Sequence, residues 1–148
     1  MEVPKDFSEL LESFNANSVE YLIVGGYALA HHGAPRFTGD LGLFVRPTSE
    51  NAKRVLAALD DFGFAGLDLT IEDFCSPDKV VQLGQPPIRI DLLTGIDGVT
   101  WDEAAREAET GRIEELDVMV ISRAAFIANR RASGRSTDLA DLEALGES

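Results

Sequence analysis

The sequence predicts an α/β domain of the α+β kind, with a mixed β-sheet and helices packed against it. Three observations predict this class. Short apolar runs with β-propensity are interleaved with stretches of 3.6-residue periodicity along the whole chain; most of the helical stretches begin at a capping residue or end at a glycine; and no repeat, linker or low-complexity segment divides the 148 residues. One domain spanning residues 1–148 is expected, and a hydrophobic content of 45% is enough to build its core.

Residues 6–15 place Leu10, Leu11 and Phe14 on one stripe, which predicts a short amphipathic helix lying over the sheet. Val19 to Val24 is a mostly apolar run ended by Gly25-Gly26, and Tyr27 to His32 has the length of two helical turns, closed by Gly33. Pro35 stops that helix, and Phe37 to Val45 reads as a second extended segment. Side chains at period two share a face, so Thr38, Asp40 and Gly42 look one way and Leu41 and Leu43 the other. Thr48 offers a capping hydroxyl to a helix whose buried row is Ala52, Val55, Leu56, Leu59 and Phe62, and Gly63 ends it.

Thr70 to Phe74 suggests a short helical turn. Lys79 to Leu83 and Ile88 to Leu93 read as hairpin strands around Gly84-Gln85-Pro86-Pro87, with Arg89, Asp91 and Leu93 on one face of the second. Thr100 and Glu103 are spaced as a capping box for a helix to about Ala108, and Ile113 and then Leu116 to Ile121 form the last strand or strand pair. Ser122 caps a helix to about Ala132 that Gly134 ends. Ser136 or Thr137 caps a final helix with Leu139, Leu142 and Leu145 as its buried row.

The composition excludes several function classes. A formal charge of −13 argues against extended nucleic-acid binding, because long phosphate backbones are held by basic surfaces. A local contact stays open at Arg123 to Arg135, an acid-free stretch carrying Arg123, Arg130, Arg131 and Arg135; it reads equally as a basic solvent face or as a nucleotide or RNA contact. No run approaches the ~20 apolar residues needed to span a bilayer. The N-terminus lacks the succession of a signal peptide, so a cytoplasmic protein is expected, and the lone Cys75 agrees as a small buried or half-buried residue with no disulfide. Adjacent His31 and His32 point about 100° apart on a helix. They are expected to suit the dipole at a helix C-terminus rather than to chelate one ion. Trp101 and the phenylalanines are assigned to core or cleft lining.

Candidate chemistry gathers at Tyr21 to Val45. A strand, paired glycines and a helix start are the arrangement in which backbone N–H groups hold phosphate oxygens, and Asp40 on the next strand adds a carboxylate. Asp91 stands inside an apolar strand, where a carboxylate is costly unless paired, metal-bound or at a cleft edge. Together these are the separated parts of a site for a nucleoside triphosphate held through a divalent metal. A plain tight turn and solvated aspartates are the alternatives.

The order GGYAL, RFTGDLGLFV and RIDLL resembles the nucleotidyltransferase superfamily related to DNA polymerase beta, most closely its small bacterial AbiEii-like and minimal nucleotidyltransferase branches. Those carry GG or GS at the turn, a D-x-D pair often preceded by R-x-T, and a third aspartate in a later strand. The tail ISRAAFIANRRASGRSTDLADLEAL is similar to their C-terminal end, so the likeness runs over nearly the whole chain. The resemblance implies the nucleotidyltransferase fold and transfer of NMP from an NTP to a hydroxyl on RNA, protein or a small molecule. It also implies that Asp40 and Asp91 are catalytic and bind Mg²⁺ or Mn²⁺. Gly25, Gly26, Arg36, Thr38, Arg130 and Arg131 would contact the nucleotide, and Asp138 and Asp141 match the acidic tail helix. The sequence departs from the pattern at three points: Gly42 replaces the second aspartate of D-x-D, Arg130 the usual lysine, and Thr137 the lysine before the tail aspartate. The first departure implies impaired activity. The alternative it opens is a catalytically degenerate module that binds nucleotide or a protein partner, for instance within a toxin–antitoxin pair.

Overall fold

A computed structural model of the chain describes residues 3–34, 39–63, 68–85 and 88–147. Its first half runs α1 (Lys5–Ala16), β1 (Tyr21–Val24), α2 (Gly26–His31), β2 (Asp40–Val45), α3 (Ser49–Phe62) and α4 (Ile71–Cys75). The second half runs β3 (Val80–Gln85), β4 (Ile88–Leu93), α5 (Trp101–Arg106), β5 (Glu109–Ile113), β6 (Leu116–Val120), α6 (Arg123–Ser133) and α7 (Ser136–Ala144). The six strands form one mixed sheet in the order β3-β4-β2-β1-β6-β5. β1 is antiparallel to β2 and parallel to β6, while β2 is parallel to β4. The predicted class is therefore the observed one.

Burial along β2 follows the pleat, with Leu41 and Leu43 buried and Asp40 and Gly42 half-exposed on the opposite face. α1 contributes Phe7, Leu10, Leu11 and Phe14 to the core, and the Ser13 hydroxyl donates to the Ala58 carbonyl of α3 at 2.7 Å. Asn51 is fully buried yet satisfied. It accepts from the Glu20 amide at 2.8 Å and donates to the Glu20 and Arg46 carbonyls, pinning the first turn of α3 to the ends of β1 and β2. Thr48 caps α3 by accepting from the Asn51 amide, and Gly63 closes it in the left-handed conformation.

Several boundaries differ from expectation. β5 begins at Glu109, four residues before Ile113, because its outward residues Thr110 and Arg112 are polar and hide the strand from a hydrophobicity reading. α5 ends at Arg106 and β1 begins at Tyr21. At α7 the N-cap is Arg135, not Ser136 or Thr137, and the Asp138 carboxylate reaches back to accept from the Arg135 amide at 3.1 Å. Of the expected leucine row, Leu142 is buried and Leu145 partly so, but Leu139 is 51% exposed, and Asp138 and Asp141 are buried in its stead. The start of the second extended segment and the tip of the hairpin at residues 86–87 lie outside the described residues. Among the described residues no helix is long and apolar enough to cross a membrane.

Candidate active site

Sheet topology brings one end of β1, β2 and β4 together. Val24, the last residue of β1, pairs with Gly42, and in the parallel register of β2 and β4, Asp40 stands beside Arg89 and Gly42 beside Asp91. Gly25 follows β1 with φ +73° and ψ −148°, a conformation essentially reserved for glycine, and turns the chain into α2. The strand order thus delivers the Gly25-Gly26 turn, Asp40 and Asp91 to one mouth.

The two carboxylates converge on a single cation that the sequence reading did not single out. Arg89 donates from Nε to Asp91 Oδ1 at 2.9 Å, and from Nη2 to both Asp91 Oδ2 and Asp40 Oδ2 at 3.2 Å. The Asp91 side chain is 19% exposed and that of Asp40 48%, so the inner carboxylate receives the bidentate contact. The hydrogen bond to Asp91, then its charge, raises the Arg89 pKa above the ordinary arginine value. The signal for Arg89 was its period-two spacing from Asp91 on one strand face. Its link to Asp40 is a matter of register.

Gly42 leaves no oxygen beside Asp91. A Cβ built there would stand 3.2 Å from Val24 Cγ2 and 3.4 Å from the Val24 carbonyl oxygen, so the β1 partner closes over the position.

A second cluster stands behind the glycine turn. Arg130 is 9% exposed, lies over the Phe126 ring at 4.9 Å, and its Nη2 would be 3.9 Å from a Cβ at Gly25. Its Nη1 donates to Asp138 Oδ1 at 2.9 Å, and its Nε lies 3.4 Å from Asp141 Oδ2 without a hydrogen bond. Arg135 Nε donates to Asp138 Oδ2 at 2.8 Å. Burial alone would raise the Asp138 carboxyl; the hydrogen bonds from Arg135 and the charges of Arg130 and Arg135 outweigh it and hold the group below its usual range.

Of the sequence-predicted residues, Gly25, Gly26, Asp40, Asp91 and Arg130 lie around this mouth. Arg131 points elsewhere, 3.6 Å from Glu147, as does Arg123, whose Nη2 donates to the Leu145 carbonyl at 2.9 Å. All four arginines of the basic stretch therefore have acidic or carbonyl partners in residues 138–147. Arg36 and Thr38 lie outside the described residues. Trp101 packs edge-on against Phe44 at 5.2 Å and lines a groove of about 400 Å³ beyond the C-terminal ends of β2 and β4, away from Asp40.

A family model described as a nucleotidyl transferase of unknown function (DUF2204) matches residues 4–148. Comparison by sequence with curated proteins gives no match. Among solved structures, the chain is similar to the lincosamide antibiotic adenylyltransferase LnuA, solved with lincomycin bound: the TM-score is 0.58 at 14% identity, covering 98% of this chain and 97% of that one. A Thermotoga maritima protein assigned as a nucleotidyltransferase gives a TM-score of 0.62 at 14% identity, over 93% and 88% of the two chains. ANT(2'')-Ia, solved in complex with adenylyl-2''-tobramycin, gives 0.58 at 13% identity, over 94% and 84%. At these identities the likeness is one of fold.

Proposed function

The chain belongs to the family described as nucleotidyl transferases of unknown function, and from that premise we propose that it is a divalent-metal-dependent nucleotidyltransferase acting on a hydroxyl acceptor, with activity reduced by Gly42. The observation that carries the reading is the convergence of Asp40 and Asp91 on one cation beside the glycine turn. Two carboxylates form a hard oxygen set suited to Mg²⁺ or Mn²⁺, which takes one or two protein carboxylates and completes its shell with phosphate oxygens and water. They suit one ion rather than two, because Gly42 adds no oxygen and Val24 leaves little room for one. When bound, that ion would lend Lewis-acid stabilisation to the phosphate oxygens.

The chain's own groups supply the rest. Gly25 and Gly26 present backbone N–H groups to the triphosphate, and Arg130, though paired with Asp138, has its Nη2 next to that turn. Asp40 and Asp91 would hold the ion, and Arg89, which stands between them, would then be the cation nearest to the phosphates. Asp91, the more buried carboxylate, accepts the proton of the acceptor hydroxyl. The hydroxyl oxygen bonds to the α-phosphorus, the bond from that phosphorus to the α,β-bridging oxygen breaks, and pyrophosphate leaves with the electron pair. RNA, protein and small-molecule hydroxyls all satisfy this chemistry, and a nucleoside triphosphate substrate agrees with a cytoplasmic location.

One observation favours a second reading, a module that binds nucleotide or a protein partner without catalysis, as in a toxin–antitoxin pair: Arg89 already engages both carboxylates. Calorimetric titration of Mg²⁺-NTP, followed by transfer of labelled NMP, separates the two. The enzyme reading expects metal-dependent binding and a slow transfer, both lost in Asp91→Asn. Nucleotide binding that ignores metal and survives Asp91→Asn selects the binding module instead.

A further inference from the structure

We propose that His31, His32 and Glu109 form a second cation site, distinct from Asp40 and Asp91, that takes a borderline divalent transition metal, Zn²⁺ foremost, and ties the end of α2 to the edge strand β5. Consecutive residues of a regular helix diverge by about 100°, and on that ground the histidines were expected not to share an ion. Both do stand at the helix C-terminus, as expected, but the chain leaves the helix between them and their rings come closer than a regular helix would bring them. α2 ends at His31, and His32 is its C-cap with φ −86° and ψ 8°. The two rings stand 4.9 Å apart at 83°, and one ligand atom each from His31, His32 and Glu109 lies within 4.8 Å of the others.

Three local features prepare the donors. His31 Nε2 is 3.4 Å from Glu109 Oε1, the first residue of β5. His32 Nε2 is 2.7 Å from the Ile121 carbonyl oxygen and therefore carries the proton, which leaves the lone pair on Nδ1. A backbone carbonyl on the second ring nitrogen is the usual way a metal-binding imidazole is oriented. Gly111 makes room for the His31 ring. A Cβ there would lie 3.1 Å from His31 Nδ1 and 3.0 Å from Val120 Cγ2, so a side chain at this point of β5 would push the imidazole away from Glu109.

Two imidazoles and a carboxylate are a zinc-type donor set, with a fourth position left to water. Tetrahedral zinc separates its ligand atoms by about 3.3–3.5 Å. The His31–Glu109 pair already meets this distance, and rotation of the exposed His31 and Glu109 side chains toward His32 would close the rest of the approach from within 4.8 Å. Imidazole nitrogen suits Zn²⁺ and not Mg²⁺, so the two sites select different ions. A net charge of −13 draws cations to either.

Zn²⁺ alone is titrated calorimetrically into the full chain, made without a polyhistidine tag, and Co²⁺ is followed by its tetrahedral visible absorption. One Zn²⁺ per chain is expected, with a rise in Tm. His31→Gln, His32→Ala and Glu109→Gln should each weaken binding by about tenfold or more, while Asp40→Asn and Cys75→Ser bind like the parent. The proposal is overturned if no Zn²⁺ binds below about 1 mM, if binding survives the combined His31→Gln and His32→Ala change, or if Cys75→Ser removes it. Because Asp40→Asn is carried alongside, failure here is read apart from failure of the nucleotidyltransferase site.

Discussion

Gly42 and Arg89 decide between them what the mouth of the sheet holds. At Gly42 a new Cβ meets Val24 Cγ2 at 3.2 Å and the Val24 carbonyl at 3.4 Å, and a β-branched side chain has little rotamer freedom with which to retreat. Gly42→Asp should therefore lower stability by about 1–2 kcal/mol through overpacking. Val24→Ala should remove part of that cost, which a double-mutant cycle by chemical denaturation reads as coupling. Additive effects would mean that Val24 does not guard the position. Arg89 carries the complementary prediction. A guanidinium bonded to both carboxylates competes with any dication for the same oxygens. Arg89→Gln should raise Mn²⁺ affinity several-fold while Asp91→Asn lowers it, both read by calorimetry without nucleotide. An unchanged affinity in Arg89→Gln would show that the ion binds elsewhere.

Among the elements, α6 and α7 pack through charge as well as through the expected Leu142. Arg130 of α6 presents its guanidinium to Asp138 and Asp141, so α7 turns its acids inward and leaves Leu139 in solvent. Removing one partner from a buried pair leaves the other uncompensated, and Asp138→Asn should cost about 3 kcal/mol at neutral pH. The folded-state pKa of Asp138 lies below its unfolded value, so its contribution is present above the ordinary carboxylate range and is lost as pH falls through the folded pKa. The stability gap between the parent and Asp138→Asn should accordingly hold from neutral pH to about 5 and close below about 4. A gap that widens on acidification would contradict this assignment. Signals confined to a few residues were legible in the sequence: the Thr48 and Gly63 caps of α3, the Thr100–Glu103 box and the period-two faces of β2 and β4. The inward acids of α7 were not, because their burial depends on what α6 offers across the interface. His31 and His32 were placed correctly at a helix C-terminus, but their closeness to Glu109 was hidden for a related reason: it needs the helix to end between them and β5 to lie alongside. For Arg89, the pairing with Asp91 lay within one strand, but the contact to Asp40 required the register of two strands 49 positions apart in sequence.

For the whole molecule, the sheet order is what turns scattered residues into a site, and charge is what limits its stability. β1 and β2 are joined by α2 and β4 enters parallel to β2, so a turn, an aspartate and a distant third strand share one end of the sheet. No local pattern contains that order; the family resemblance implied only the fold to which it belongs. The 26 acidic against 13 basic residues have a different consequence. The basic stretch of α6 is taken up by the acids of α7 and the C-terminus, so it offers little neutralisation to the remaining surface. The chain from α5 into β6 is strongly acidic, with Asp102, Glu103, Glu107, Glu109, Glu114, Glu115 and Asp117 within one short span. Repulsion among such exposed charges acts over the Debye length, which shrinks from about 30 Å at 0.01 M salt to about 8 Å at 0.15 M. The paired charges of Arg130 and Asp138 are buried and screened far less. Added NaCl should thus relieve repulsion more than it weakens attraction, stabilising the fold by about 1 kcal/mol and raising Tm by about 2–8 °C. The measurement is a thermal melt in EDTA across that salt range, so that no divalent ion contributes. A Tm that stays level or falls would mean that favourable ion pairs, not excess negative charge, dominate the electrostatics of this chain.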